Sequence, residues 1–481
     1  MDTHTTTYAL AGWVFLRLLG LVYLVAFLSL ASQIKGLVGC EGILPVAEFL
    51  RQPSRWSPGL FFSTPTLCWL NKSDRFLVFL CWGGVVLSIL LATGFAPLPV
   101  LILLWLFYLS LVTAGRVFLA YQWDHLLLET GFLAVFLAPF ELSPRFPPLT
   151  APSPVVIWLL WWLLFRLMFS SGAAKLTSGD RHWRNLTALA FHYETQPLPT
   201  ALAWRAHHLK VHWHKLACAF VLTIEIAGPF LIAGPPATKY LAAVLFSLLM
   251  LAIQLTGNYS FFNLLTVALC VPLLDDRVLF HLFGLGHWEI AAPSAMASWI
   301  SLVPAALVVL LSPGHLLRLF HREIRRPRWL ETLSETLAPF RLVNSYGLFP
   351  VMSIERPELI VEGSEDGKEW QAYEFKYKPG KVTRAPRFAA PHQPRLDWQM
   401  WFAAMGYYQN HPWVARLLAR LLHGARPVEA LLNMNPFESR RPRFIRCVLY
   451  DYRFTSVAER RKTGAWWRRE RRGFYGPVFE V

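Results

Sequence analysis

The residues of this chain that could do chemistry are charged and amide side chains in strongly apolar surroundings. Arg166 lies inside the run WWLLFRLMFSSGAAK, Lys175 ends it, and Asp180, Arg181, His182 and Arg184 follow within a few residues. Arg116, Asp124 and Glu129 flank a second apolar stretch in GRVFLAYQWDHLLLETGF. Glu225 stands in LTIEIAGPF, and Gln254, Asn258 and Asn263 occupy QLTGNYSFFNLLT. A charge in a low-dielectric medium is costly, so it is a functional candidate by default. Opposite charges here can pair, which would let each stay ionised; this is the bland reading. The sharper one is a polar cavity opening to one side of a membrane. Asn and Gln at such positions read as hydrogen-bonding glue between helices. Glu225 needs a partner or a proton.

Other chemistries have little support. There is no GxSxG, HExxH, P-loop or GxGxxG motif. The His cluster HHLKVHWH, at 207, 208, 212 and 214, has metal-like local spacing but lies in a polar loop, so no metal site and no cofactor are expected. Six Cys occur without a CxxC pair; Cys40 and Cys68 share one polar segment and could pair in an oxidising compartment.

The elements that must position these residues follow from composition. Of 481 residues, 55% are hydrophobic and only 16% charged, with a mean hydropathy of +0.38. Soluble domains average about 25% charged residues, and disorder requires low hydrophobicity, so both classes are excluded. The net charge is nevertheless +16. It is unevenly spread: residues 340–481 carry 24 Lys and Arg against 14 Asp and Glu, a net +10. A spanning helix needs about 20 apolar residues. Candidate spans are 13–32, 76–94, 98–115, 125–139, 155–174, 216–234, 240–257, 259–274 and 297–312, with 125–139 and 259–274 short enough to be re-entrant or interfacial. The expectation is an α-helical polytopic membrane bundle of seven to nine segments over 1–315, a basic linker over 316–339, and a soluble β-rich domain with a helical insertion over 340–481. Strand alternation marks ELIVEGSEDGKEWQAYEFKY, with an Asp-Gly turn, and IRCVLYDYRF; helical periodicity marks LDWQMWFAAMGYY and WVARLLARLLHG. The tail RRKTGAWWRRERRGFYG reads first as cation–π and salt-bridge structure, then as membrane or protein contact; nucleic acid is not expected. Five Arg and one Glu from Arg318 to Arg328 mark that end as cytoplasmic.

Several long strings resemble one family. FLSLASQIKGLVGCEGILP, VFLAYQWDHLLLETGFLAVFLAP, FRLMFSSGAAKLTSGDRHWRNLTALAFHYETQPLPT, LTGNYSFFNLLT, VNSYGLFPVMSIERPELIVEGSEDGKEW and EFKYKPG with APHQPRLDWQMWFAA resemble the lipase maturation factor family over almost the whole chain. The resemblance implies a multi-pass membrane protein, in the endoplasmic reticulum of a eukaryote or the inner membrane of a bacterium. It implies a lumenal C-terminal domain that helps dimeric lipases reach their active fold, opposite to the side the Arg-rich loop indicates. Partners would be membrane lipid and a client protein. Client or docking candidates are then Asn344, Tyr346 and Gly347, with His392, Gln393, Arg395, Asp397 and Trp398; docking of the domain on the helices is the favoured role.

A shorter stretch, FSSGAAKLTSGDRHW, looks like the Gly-x-x-Lys-Leu…Trp segment of the vitamin K-dependent carboxylase and related membrane proteins. That implies an alternative: an intramembrane, quinone-linked type of enzyme with Lys175 as base, since a desolvated Lys can be neutral enough to take a proton, and Asp180 and His182 beside it.

Overall fold

The computed structural model describes residues 7–51, 58–286, 288–320, 327–438 and 440–480. The principal helices of its first part are α1 (Ala9–Ala31), α2 (Asp74–Thr93), α3 (Pro97–Gly115), α4 (Gln122–Leu137), α5 (Pro154–Thr177), α6 (Val211–Ile226), α7 (Pro236–Thr256), α8 (Phe262–Cys270) and α9 (Leu302–Arg318). Among the described residues, seven helices are long and apolar enough to cross a membrane: α1, α2, α3, α5, α6, α7 and α9, some continuing into short flanking helical turns. The expected spans 125–139 and 259–274 correspond to α4, of 16 residues, and α8, of 9. Residues 321–326 of the basic linker lie outside the described residues.

Local signals set the boundaries. Pro97, Pro154 and Pro236 open α3, α5 and α7, where a missing N–H costs nothing. Ser73 caps α2 by accepting from the Phe76 amide, and Gly94 ends it at φ +92°. Antiparallel packing places Ser29, Asp124, Lys175 and Asn258 at one end of the bundle. At the other end, the Asp276 carboxylate accepts the Ala9, Leu10 and Ala11 amides at 2.7–3.1 Å, satisfying the orphan donors that start α1.

The second part is an antiparallel sheet with helices. Strands β1 (Pro357–Ser364), β2 (Gln371–Ala372), β5 (Phe444–Phe454) and β6 (Trp467–Phe474) run in the order β2-β1-β5-β6, with β7 (Phe479–Glu480) on β5. The Asp-Gly turn falls between β1 and β2, where Asp366 accepts the Lys368 and Glu369 amides at 2.8 and 2.9 Å. The chain then leaves this sheet, because β3 (Glu374–Phe375) pairs instead with β4 (Leu432–Met434). Between β3 and β4 lie α10 (Arg395–Ala404) and α11 (Pro412–Leu422), the expected helical insertion. The sheet's apolar core continues into the bundle's: one cluster of buried residues runs from Phe15 and Tyr23 through Trp123 and Leu163 to Tyr346, Leu359, Trp398 and Tyr475.

The six cysteines are free. Cys68 is buried, while the exposed Cys40 thiol donates to Asp74 at 3.2 Å, so the possible 40–68 pairing is not formed.

Candidate functional site

The sheet meets the bundle through side chains that water does not reach. Arg395 opens α10 and is fully buried. Its guanidinium forks onto Asp124 of α4 with two bonds of 2.9 and 2.8 Å, and Nη1 also donates to the Phe118 carbonyl at 2.8 Å. The Tyr108 hydroxyl reaches the same carboxylate at 2.5 Å. A planar cation with five donors in a fixed fork meets the carboxylate with two parallel bonds while also reaching the carbonyl.

Glu129, one turn beyond Asp124 on the same helix, forms the second junction. Its Oε1 pairs with Arg166 of α5. Its Oε2 accepts the Asn344 amide at 2.8 Å, the Asn344 side chain at 3.0 Å and the Tyr346 hydroxyl at 2.7 Å. Arg166 completes the circuit by donating to the Asn344 carbonyl at 3.1 Å. Gly347 exchanges backbone bonds with the Gln122 amide, at 3.1 and 3.2 Å. Its φ is +153°, and an added Cβ would stand 3.0 Å from that of Ala174.

Asn258 forms the third junction. Its Nδ2 donates to the Leu198 and Arg387 carbonyls at 3.0 and 2.9 Å, and its Oδ1 accepts the Ala389 and Ala390 amides at 2.6 and 3.0 Å. The following residues continue the seam. His392 Nδ1 lies 3.0 Å from Ser29 Oγ, the Gln393 amide donates to that oxygen at 3.0 Å, and Gln33 takes the Arg395 amide at 3.0 Å. Burial, with Arg395 and Lys376 nearby, lowers His392 to about 4, which keeps it neutral at physiological pH. Asp397 faces inward within the domain and accepts the Tyr377 and Lys378 amides at 2.7 and 2.8 Å. Burial pushes its carboxyl up, and those amides oppose the shift. Trp398 packs edge-on against Trp123 at 4.9 Å and Tyr259 at 5.8 Å.

Lys175 is held by Glu225, the lone acid of α6. Its Nζ donates to both carboxylate oxygens at 2.9 and 2.7 Å and to the Ser171 carbonyl at 3.2 Å. With its Nζ engaged by Glu225 and the Ser171 carbonyl, this geometry lends no support to Lys175 as a base. Asp180 and His182 do not join it. Asp180 caps a short helix through the His182 and Trp183 amides, at 2.6 and 3.3 Å, and takes the Met352 amide at 2.9 Å. Burial raises its carboxyl, but those amides outweigh it and leave a net lowering. His182 bonds Thr187 at 3.1 Å. Arg116 does not pair with Asp124; it donates to the Leu44 carbonyl at 2.7 Å and lies over the Phe49 ring at 4.9 Å. The His cluster disperses, and among the described residues no group of three His, Cys, Asp or Glu could hold a metal.

Other junction residues are not among the candidates the sequence singled out, although Arg356 and Gly36 fall within the family-like strings. Arg356, fully buried, donates to the Glu194 and Pro197 carbonyls at 2.7 and 2.8 Å and to Glu358 at 2.7 Å; it also bonds the Gln196 carbonyl. Trp204 donates to the Thr455 carbonyl at 3.1 Å and packs on Trp466. Gly36 sits where an added Cβ would be 2.3 Å from the Pro427 carbonyl. A usable signal existed for Ser29 and Gln33, polar residues one turn apart at the end of an apolar span.

The comparisons agree with this two-part construction. Residues 10–281 match the model of the lipase maturation factor transmembrane domain, and residues 342–477 that of the lipase maturation factor C-terminal domain. The chain belongs to the lipase maturation factor family. Relatives include lipase maturation factor 2 of Homo sapiens, 37% identical over 574 residues, covering 95% of this chain and 80% of the relative. Lipase maturation factor 1 of Mus musculus is 33% identical over 517 residues, covering 99% of this chain and 88% of the relative. No solved structure matches this member of the family.

Proposed function

We propose that this integral membrane protein is a non-catalytic maturation factor that helps secreted lipases reach their active fold. The observation that carries the reading is the match of both parts of the chain to lipase maturation factor models. In a eukaryotic cell the protein would reside in the endoplasmic reticulum membrane with its sheet toward the lumen; in a bacterium it would occupy the inner membrane.

Most motif residues of the junction are buried, and Gly347 and His392 are half-buried, so the client needs another surface. We assign it to the exposed end of α10 and the turn after it, where Phe402, Met405 and Tyr407 are 40%, 45% and 78% exposed. The rest of α10 is almost wholly buried in the junction, so this apolar patch stands on a rigid base. Partly folded clients expose apolar surface, and exposed apolar patches mark protein contacts.

Complementation tests the reading. In cells lacking their own maturation factors, the wild-type chain is expected to raise the activity of a co-expressed dimeric lipase per molecule secreted. The triple variant Phe402→Ser, Met405→Ser, Tyr407→Ser should lose most of that gain while its abundance and melting temperature stay near wild type. No gain with the wild-type chain would contradict the function; full gain with the triple variant would contradict the surface.

A further inference from the structure

A cavity lies at the end of the bundle away from the sheet. It encloses about 480 Å³ between the first half of α1, the Gly94 turn, the 138–153 loop and the segment leading into α9. That volume is in the range of small-molecule sites. Its outer wall is built: the Ala151 amide donates to the Ala291 carbonyl at 2.9 Å, the Ala291 amide to the Leu149 carbonyl at 2.7 Å, and the Trp288 indole to the Pro148 carbonyl at 2.9 Å.

Arg17 stands in this cavity. It lies in the first membrane helix, its guanidinium 4.1 Å from the Trp13 ring and against Gly94, where an added Cβ would meet Nη2. Among the described residues no hydrogen bond from its guanidinium to an acceptor is found, and Glu141 of the same cavity is the carboxylate that acts on it through space. Arg17 is half-buried, and the fully buried guanidiniums of Arg166, Arg356 and Arg395 each hold two or more acceptors. An arginine cannot shed its proton, and a buried donor left unpaired is costly. The Arg17 guanidinium therefore keeps donors free for a ligand's phosphate oxygens. Glu141 and Arg145 line the same cavity, and Leu16, Leu98 and Ile300 make its wall apolar.

We propose that this cavity binds one membrane phospholipid: Arg17 holds the phosphodiester, Glu141 faces the ammonium of an ethanolamine headgroup, and an acyl chain lies along Leu16, Leu98 and Ile300. The chemistries the cavity presents, the cations Arg17 and Arg145, one carboxylate and an apolar wall, match the phosphate, the ammonium and the acyl chain of that lipid class. A bare anion would use only the first. The inference is independent of the lipase reading, because the cavity lies on the opposite membrane face from the client surface.

Native mass spectrometry of the full chain in detergent tests it, with palmitoyl-oleoyl phosphatidylethanolamine, phosphatidylglycerol or phosphatidylcholine as probes and inorganic phosphate as a control. The wild type should retain one phosphatidylethanolamine in preference to the other two. Arg17→Gln should lower retention about tenfold. Glu141→Gln should retain lipid but lose the preference for ethanolamine. Ala297→Phe fills the cavity without removing a charge and should also abolish retention, so loss does not rest on one variant's folding. Unchanged retention in Arg17→Gln, a wild-type preference for phosphatidylglycerol, or stabilisation by inorganic phosphate equal to that by lipid would each overturn the proposal.

Discussion

At Arg395 and Asp124 two full charges have left water, and only their mutual fit offsets the desolvation. Breaking one partner should therefore be worse than losing both. Arg395→Ala is expected to cost about 3–5 kcal/mol, because Asp124 stays buried and unpaired; chemical denaturation in detergent measures it. His392 gives a pH signature at the same seam. Its folded pKa of about 4 lies below the ordinary value of 6.5. A depressed value means that its contribution is present above pH 6.5 and is lost as pH falls toward 4. The difference in melting temperature between wild type and His392→Gln should be greatest near pH 7 and shrink toward pH 4. Sequence showed that Asp124, Glu129, Arg166, Lys175 and Glu225 needed partners, but not which partners. Arg395 lies 271 residues from Asp124, and Asn344 lies 215 from Glu129, so no local pattern could couple them.

The elements were more legible than their junctions. Pro at helix starts, Gly94 at a helix end and alternation in β1 and β5 are local signals, and the structure follows them. Sequence alternation did not reveal that β3 leaves the main sheet after two residues of β2, because the pairing is decided by the distant β4. Close approach of elements was equally silent. The Ile34–Val38 helix meets the Arg426–Glu429 helix at Gly36, where a methyl group would be 2.3 Å from a backbone carbonyl. Gly36→Ala is expected to destabilise the chain by about 1–3 kcal/mol, the usual range for overpacking, although alanine is the better helix former. A melting temperature at or above wild type would show that this contact is loose. Asn258 concentrates four bonds on one amide, so Asn258→Leu should loosen the 387–393 loop, visible as faster amide exchange there.

At the scale of the whole molecule, the helices and the sheet share one core and several buried polar junctions. Composition separates a greasy part from a basic one, yet the basicity is not a free surface throughout, since Arg356 and Arg395 are consumed in docking. Removal of residues 340–481 is therefore not a clean domain deletion. It would strip Asp124 of its partner Arg395 and Glu129 of Asn344 and Tyr346, and the truncated bundle should be extracted as a less stable, protease-sensitive species. The most direct test of the coupling between construction and function is a double-mutant cycle on Asp124 and Arg395, read both as stability and as lipase activity per secreted molecule. The expected result is a coupling of about 2 kcal/mol or more, with Arg395→Met nearly inactive and Asp124→Leu with Arg395→Met partly restored in both readouts. Additive effects on stability, or lipase maturation that stays at the wild-type level when Arg395 alone is lost, would contradict it.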